Sequence, residues 1–242
     1  MDRKGFEFMY KKLGILGGMG PLATYALYKN IIESTLIKTD QEYIDMVILN
    51  ASYIPDRTAG ILNGGESPLP YLLDALKTLE NAGCDLIAIP CNTSHYFYGE
   101  MQNACKAKIL NMIDLTAEKL KSLGVSKTFL MATEGTVKTG VYQKYSDRRS
   151  IEIILPNDGE IAEMMRVIYE IKAGKSPDTG KLRDISQKYI NLGCEKIILG
   201  CTELSTEKGK IYGVDENIFI DAMEVLKDKI LESFEVQVKY PK

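Results

Sequence analysis

"GCDLIAIPCNTS" (83–94) and "GCEKIILGCTEL" (193–204) decide how this chain is read. Each opens Gly-Cys-acid, runs through aliphatic residues and reaches a second cysteine followed by polar residues. A short apolar run bounded by turn signals reads as a buried strand. Cys91 and Cys201 then fall at the carboxyl ends of two strands, where open parallel sheets collect ligands. Cys84 and Cys194 fall at the opposite ends and read as packing residues, as does Cys105 in a helical stretch.

A second echo lies upstream of each copy. "ILGGMGPLATYALYK" (15–29) can be laid on "LMATEGTVKTGVYQK" (130–144), with Gly20 over Gly135 and Thr24 over Thr139. Two similarities in the same order indicate two related halves.

Strand and helix patterns alternate around these motifs. Strands are predicted at 12–18, 45–51, 84–90, 107–113, 127–133, 150–156 and 194–200. Helices are predicted at 21–38, 68–82, 114–123, 136–146, 158–173, 179–192 and 220–234, with further helix after the strand at 84–90. Such alternation makes parallel sheets covered by helices. The expected fold is α/β, with two related halves, each a parallel sheet covered by helices, rather than one sheet.

Composition narrows the function. The 242 residues are 45% hydrophobic and 26% charged, with a formal net charge of −3. The charges are interspersed, so no basic footprint for nucleic acid or a membrane surface is present. The start, "MDRKGFEFMYKK", lacks a signal-peptide apolar core, and no apolar run reaches transmembrane length. The expectation is a cytoplasmic protein. Five cysteines without a C-x-x-C pair, and a single histidine, argue against both a disulfide framework and a structural zinc site.

If the two halves face each other, Cys91 and Cys201 approach one ligand from opposite sides. Two opposed thiols suit moving a proton from one face of a carbon to the other, one as base and one as acid. Both lie near predicted helix N-termini, whose dipole and free N–H groups favour thiolate. The carbanion formed needs donors, and Asn92, Thr93, Thr202 and nearby backbone N–H groups offer them.

"GILGGMGPLAT" (14–24), "IPDRTAGIL" (54–62), "PCNTSH" (90–95), "IYEIKAG" (168–174) and "GCTEL" (200–204) together resemble the aspartate/glutamate racemase superfamily, and within it the aspartate racemase branch. The resemblance implies two similar, pseudo-symmetric three-layer α/β domains, 1–114 plus 210–242 and 115–209, with the active site in the interdomain cleft, and a pyridoxal-phosphate-independent amino-acid racemase that acts on an acidic amino acid and assembles as a homodimer. It implies Cys91 and Cys201 as the acid–base pair, and Asn92, Thr93 and Thr202 as holders of the α-carboxylate and α-amino region. Arg57 and Lys172 become clamps for a side-chain carboxylate, with Lys175 close enough to blur the alignment. Met19 lines the cleft floor, and Glu203 stands where it could tune the neighbouring thiol. His95 lies four residues after Cys91, on the same face if a helix has begun there, and so either polarises that thiol or caps and packs. Tyr53 before "IPDRT" and the loose "PNDGEI" (156–161) depart from the pattern and bear on substrate choice.

Rival readings remain at this point. "GMGPLA" (18–23) fits G-x-G-x-x-A after a strand, but the next strand ends in "LNAS", without an acid for a ribose. A thiol hydrolase built on Cys91 and His95 would leave Cys201 idle. The same scaffold could also serve a decarboxylase, a cis–trans isomerase or a hydantoin racemase.

Overall fold

The computed structural model describes residues 12–206, 209 and 216–239. Residues 1–11, and the domain limit expected at 210, lie outside the described residues.

Two four-stranded parallel sheets form the frame. The first is built from β1 (Leu13–Gly17), β2 (Met46–Asn50), β3 (Leu86–Ala88) and β4 (Lys108–Ile109), in the spatial order β2-β1-β3-β4. The second uses β5 (Lys127–Ala132), β6 (Glu152–Ile154), β7 (Lys196–Gly200) and β8 (Phe219–Asp221), in the order β6-β5-β7-β8. The two orders match strand for strand, as the repeat predicts.

The repeated Gly-Cys-acid motif has the same mechanics in both halves. Helix α3 (Leu69–Asn81) runs into Gly83, and helix α9 (Gly180–Asn191) runs into Gly193, with φ of 79° and 84°. Glycine supplies this left-handed turn without a Cβ clash. The next N–H turns back on the helix: Cys84 to the Leu79 carbonyl at 3.1 Å and Cys194 to the Tyr189 carbonyl at 3.0 Å. The acid then accepts from the residue leading into the adjacent strand. Asp85 takes the Lys12 N–H at 3.1 Å, and Glu195 takes the Ser126 N–H at 2.9 Å. Cys84 and Cys194 are buried packing residues, as expected.

The upstream echo is equally concrete. The Thr24 hydroxyl donates to the Gly20 carbonyl at 3.0 Å, and the Thr139 hydroxyl donates to the Gly135 carbonyl at 2.7 Å. Pro21 opens helix α1 (Pro21–Ser34), where its missing N–H costs nothing.

Three apolar clusters hold the layers together. One outer cluster packs α3 and α4 (Tyr98–Ala104) on the first sheet through Leu72, Leu76, Leu79, Ile87 and Met101. The other packs α8 (Asp158–Lys172) and α9 on the second sheet through Met164, Ile168, Leu182 and Leu199. The third is shared: Leu13, Ile15 and Leu27 join Leu130, Ile198 and residues of helix α5 (Met112–Ser122) in one continuous core. The halves are therefore welded along one side by buried apolar surface, which holds the strand ends in fixed relation.

Several elements depart from expectation. The final segment does not simply return to the first half: β8 pairs with β7 in the second sheet, and a helix (Ala222–Ser233), α11 here, packs against α5 and α1. The limit at 114/115 falls inside α5. The strand expected over 107–113 is only Lys108–Ile109, because the Asn111 side chain accepts from the Ile113 and Asp114 N–H groups and starts α5. The helix expected over 136–146 is two helices, α6 (Glu134–Lys138) and α7 (Val141–Ser146), broken at Gly140 with φ of 65°. A short helix not foreseen, α2 (Arg57–Leu62), is capped by Asp56, whose side chain accepts the Ala59 N–H. No described helix is long and apolar enough to cross a membrane.

Candidate active site

Cys91 stands just beyond β3, after Ile89 and Pro90, and Cys201 directly follows β7. Both are buried and line one cavity. It has room for about one water, about 10 Å³, within a recess of about 290 Å³ that opens to solvent. Arg57, Asn92, Thr93, Lys172, Thr202 and Met19 share its wall, as expected, and Glu203, expected only behind the second thiol, reaches it too. Asp56, Thr58, Thr133 and Gly200 complete the wall.

The two cysteine loops are tied together. The Thr202 hydroxyl donates to the Pro90 carbonyl at 3.2 Å, linking the residue after one cysteine to the residue before the other. A second cross-link is a triangle of buried hydroxyls: Thr93 lies 2.9 Å from Thr133 and 3.0 Å from Thr136, which are themselves 3.0 Å apart.

Glu203 joins both halves and one thiol. One carboxylate oxygen accepts the Gly20 N–H at 3.1 Å; the other accepts the Cys201 S–H at 3.1 Å. Burial, then the Glu203 charge, push the Cys201 thiol well above its ordinary pKa, against the pull of Lys172. This corrects the expectation of a helix-favoured thiolate at Cys201. The helix after it, α10 (Thr202–Thr206), is a little over one turn, too short for its dipole to outweigh desolvation and a carboxylate in contact.

Lys172 sits at the end of α8 with its ammonium 5.3 Å from the Tyr169 ring centre. Burial alone would lower its pKa, but Glu203 and the two active-site cysteines outweigh burial and Arg57, so the ammonium is held charged. Lys175 lines a separate groove beside α1.

Arg57 is more committed than a free clamp. One terminal nitrogen donates to the Ile54 and Pro55 carbonyls at 3.3 and 3.1 Å, the other to the Met19 carbonyl at 3.1 Å. Its Nε is buried without a partner among the described residues. Asp56 caps α2 and accepts the Tyr169 hydroxyl at 3.2 Å. Burial would raise its pKa, yet the Ala59 N–H and the charges of Lys172 and Arg57 hold it below the ordinary carboxylate range.

Of the two places open to His95, the structure shows the packing one. Its ring does not meet the Cys91 thiol in any hydrogen bond; Nδ1 lies 2.9 Å from the Cys91 carbonyl, and Nε2 accepts the Met112 N–H at 3.2 Å. Burial lowers its pKa, so the ring is neutral. It holds the backbone of the cysteine loop against the start of α5. Met19 contributes backbone to Arg57, and its sulfur accepts the Ser94 hydroxyl at 3.4 Å.

Sequence reasoning missed Asp56, Thr58 and Thr133. A signal existed for Thr133: the overlay of 15–29 on 130–144 sets it against Gly18, beside the expected site residue Met19. The wall thus offers two cations, two carboxylates, two thiols and several neutral donors. That pattern complements a small zwitterion bearing a further charge.

A duplicated α/β fold with one thiol at the matching strand end of each half defines the class of this protein. Comparison with known proteins agrees. The Asp/Glu/Hydantoin racemase family model matches residues 16–226. The aspartate racemase of Picrophilus torridus superposes with a TM-score of 0.80 at 32% identity, covering 95% of this chain and 96% of that one. An aspartate racemase homologue from Pyrococcus horikoshii OT3 gives 0.73 at 29% identity, covering 93% and 99%. The broad specificity amino-acid racemase RacX of Bacillus subtilis (strain 168) is 26% identical over 199 residues, 80% of this chain and 86% of its own. The chain belongs to the Asp/Glu/Hydantoin racemase family, and is an isomerase acting on amino acids.

Proposed function

We propose that this protein interconverts the enantiomers of an acidic amino acid, aspartate before glutamate, without an organic cofactor, by proton transfer between Cys91, Cα and Cys201. The observation that carries the proposal is the convergence of both thiols on one cavity that also holds Arg57 and Lys172. One thiolate removes the Cα proton, and the opposite thiol delivers another to the other face. Each positioned group supplies roughly 10²–10⁴-fold.

Cys201 rests as a thiol. In one direction it is the acid. In the other the roles exchange: Cys201, left as thiolate once it has delivered its proton, is the base and Cys91 the acid. Negative charge then develops on the α-carboxylate as the carbanion takes on enolate character. Asn92 Nδ2, buried without a partner among the described residues, is a donor still to be used, and its alignment need not be reorganised during the reaction. Lys172 adds its charge from beside both cysteines. Arg57 Nε faces the side-chain carboxylate, and Asp56 and Glu203 balance the ammonium. A homodimer belongs to the same proposal and rests on the family resemblance; sedimentation at working concentration tests it.

One observation favours a second reading. Both terminal nitrogens of Arg57 already bind carbonyls, which weakens its grip on a substrate carboxylate. That suits a broader specificity, like the one in the name of the Bacillus subtilis relative. Incubating a panel of D- and L-amino acids in D₂O, without pyridoxal phosphate, separates the two. The leading reading expects deuterium at Cα and loss of optical purity with aspartate or glutamate far above neutral amino acids. No exchange with any amino acid, from folded protein with free thiols, overturns both.

A further inference from the structure

Asn92 is held from behind. The Tyr142 hydroxyl, fully buried on α7 in the second half of the chain, donates to Asn92 Oδ1 at 2.6 Å. Asn92 itself is buried and lines the cavity, and its Nδ2 finds no partner among the described residues. A buried amide N–H₂ without a partner is costly unless something else satisfies it. Burial also keeps the Tyr142 phenol protonated far beyond the ordinary range, so it remains a donor. A donor at Oδ1 leaves the amide one favourable orientation, with Nδ2 on the side of the cavity.

We infer that Tyr142 is a positioning residue: its hydroxyl locks the Asn92 amide so that Nδ2 is presented, already oriented, to the substrate carboxylate. This rests on the racemase reading above. It also gives the second half a hold on the donor set beside Cys91, since Tyr142 and Asn92 come from different halves. Without the hydroxyl, the amide can turn and offer Oδ1, an acceptor, to an anion.

The test is a double-mutant cycle with Tyr142→Phe and Asn92→Ala, read by kinetics and by the Asn92 side-chain amide signals in ¹⁵N-labelled protein. Tyr142→Phe keeps the ring and its packing. It is expected to lower kcat/KM about tenfold, less than the roughly 10²–10³ for deleting a fixed donor outright. In the Asn92→Ala background the same change is expected to cost almost nothing. The Asn92 amide signals, identified by their loss in Asn92→Ala, should shift or broaden in Tyr142→Phe. Unchanged amide signals, or a kinetic loss that persists in the Asn92→Ala background, would overturn the inference. A wild-type protein without exchange activity would instead defeat the racemase reading, and the amide spectrum would still decide this one.

Discussion

The Thr202 hydroxyl meets the Pro90 carbonyl at 3.2 Å, so the backbone leading into Cys91 is bonded to the side chain that follows Cys201. Two residues 112 positions apart in sequence thus bring the two thiol-bearing loops to one wall. The cavity they line has room for about one water, about 10 Å³, within a recess of about 290 Å³ that opens to solvent.

Gly135 tests that closeness. A Cβ there would stand 2.8 Å from the Thr58 hydroxyl and 2.9 Å from Thr93 Cγ2, both on the opposite half. Gly135→Ala would improve the helix propensity of α6 by up to about 1 kcal/mol in isolation. It is expected nonetheless to wedge the cleft and lower kcat/KM at least about tenfold, since small misplacements of catalytic groups are expensive. Steady-state kinetics alongside thermal unfolding would show it; wild-type activity would mean the cleft is looser than described.

Glu203→Gln removes a negative charge 3.1 Å from the Cys201 sulfur. Cys201 is raised by burial first and by Glu203 second, so the variant thiol should titrate at lower pH than the native one, while remaining raised by burial. The pH dependence of Cys201 alkylation measures this directly. An alkylation profile identical to wild type would remove Glu203 from this role.

Arg57→Ala has two expected consequences. The Ile54, Pro55 and Met19 carbonyls lose a charged donor, at a cost of about 1.5–3 kcal/mol in stability. Acidic substrates should also lose more kcat/KM than neutral ones. Comparing aspartate with alanine, beside a denaturant titration, separates the effects. An unchanged substrate preference would leave Arg57 a purely structural residue.

Alkaline stability follows from Cys105. Burial first, then the Glu80 charge, push its thiol from 9.0 up to about 11. A raised folded pKa means the stabilisation is complete below the unfolded value and is lost as pH rises through the folded one. Under reducing conditions the melting temperature should therefore fall between pH 9 and about 11. Cys105→Ala should flatten that fall; an equal fall would assign it to other groups.

How much of this could be read from the chain depends on which signals are local. The Gly-Cys-acid repeats carry their own turn, buried residue and N–H acceptor, so the strands they begin were legible. So was the convergence of Cys91 and Cys201, because equivalent strand ends of a duplicated fold meet by symmetry. Phe219–Asp221 was not: three residues have no usable period, and their strand exists because β7 pairs with them. The role of His95 stayed open between thiol and packing because spacing alone does not tell an α-helix from the 3₁₀ turn over 93–97, which aims the ring at backbone. The occupation of Arg57 by carbonyls was invisible for the same kind of reason. It depends on how Ile54–Pro55 and Met19 turn in space.

The position of isotope in the first turnovers tests the two-thiol account most directly. With a single enantiomer of aspartate in D₂O, product formed early should carry deuterium at Cα while unreacted substrate keeps its hydrogen, because the proton delivered comes from the opposite thiol. Early product that retains the substrate's own hydrogen would mean one base serves both faces, and would contradict the roles given to Cys91 and Cys201.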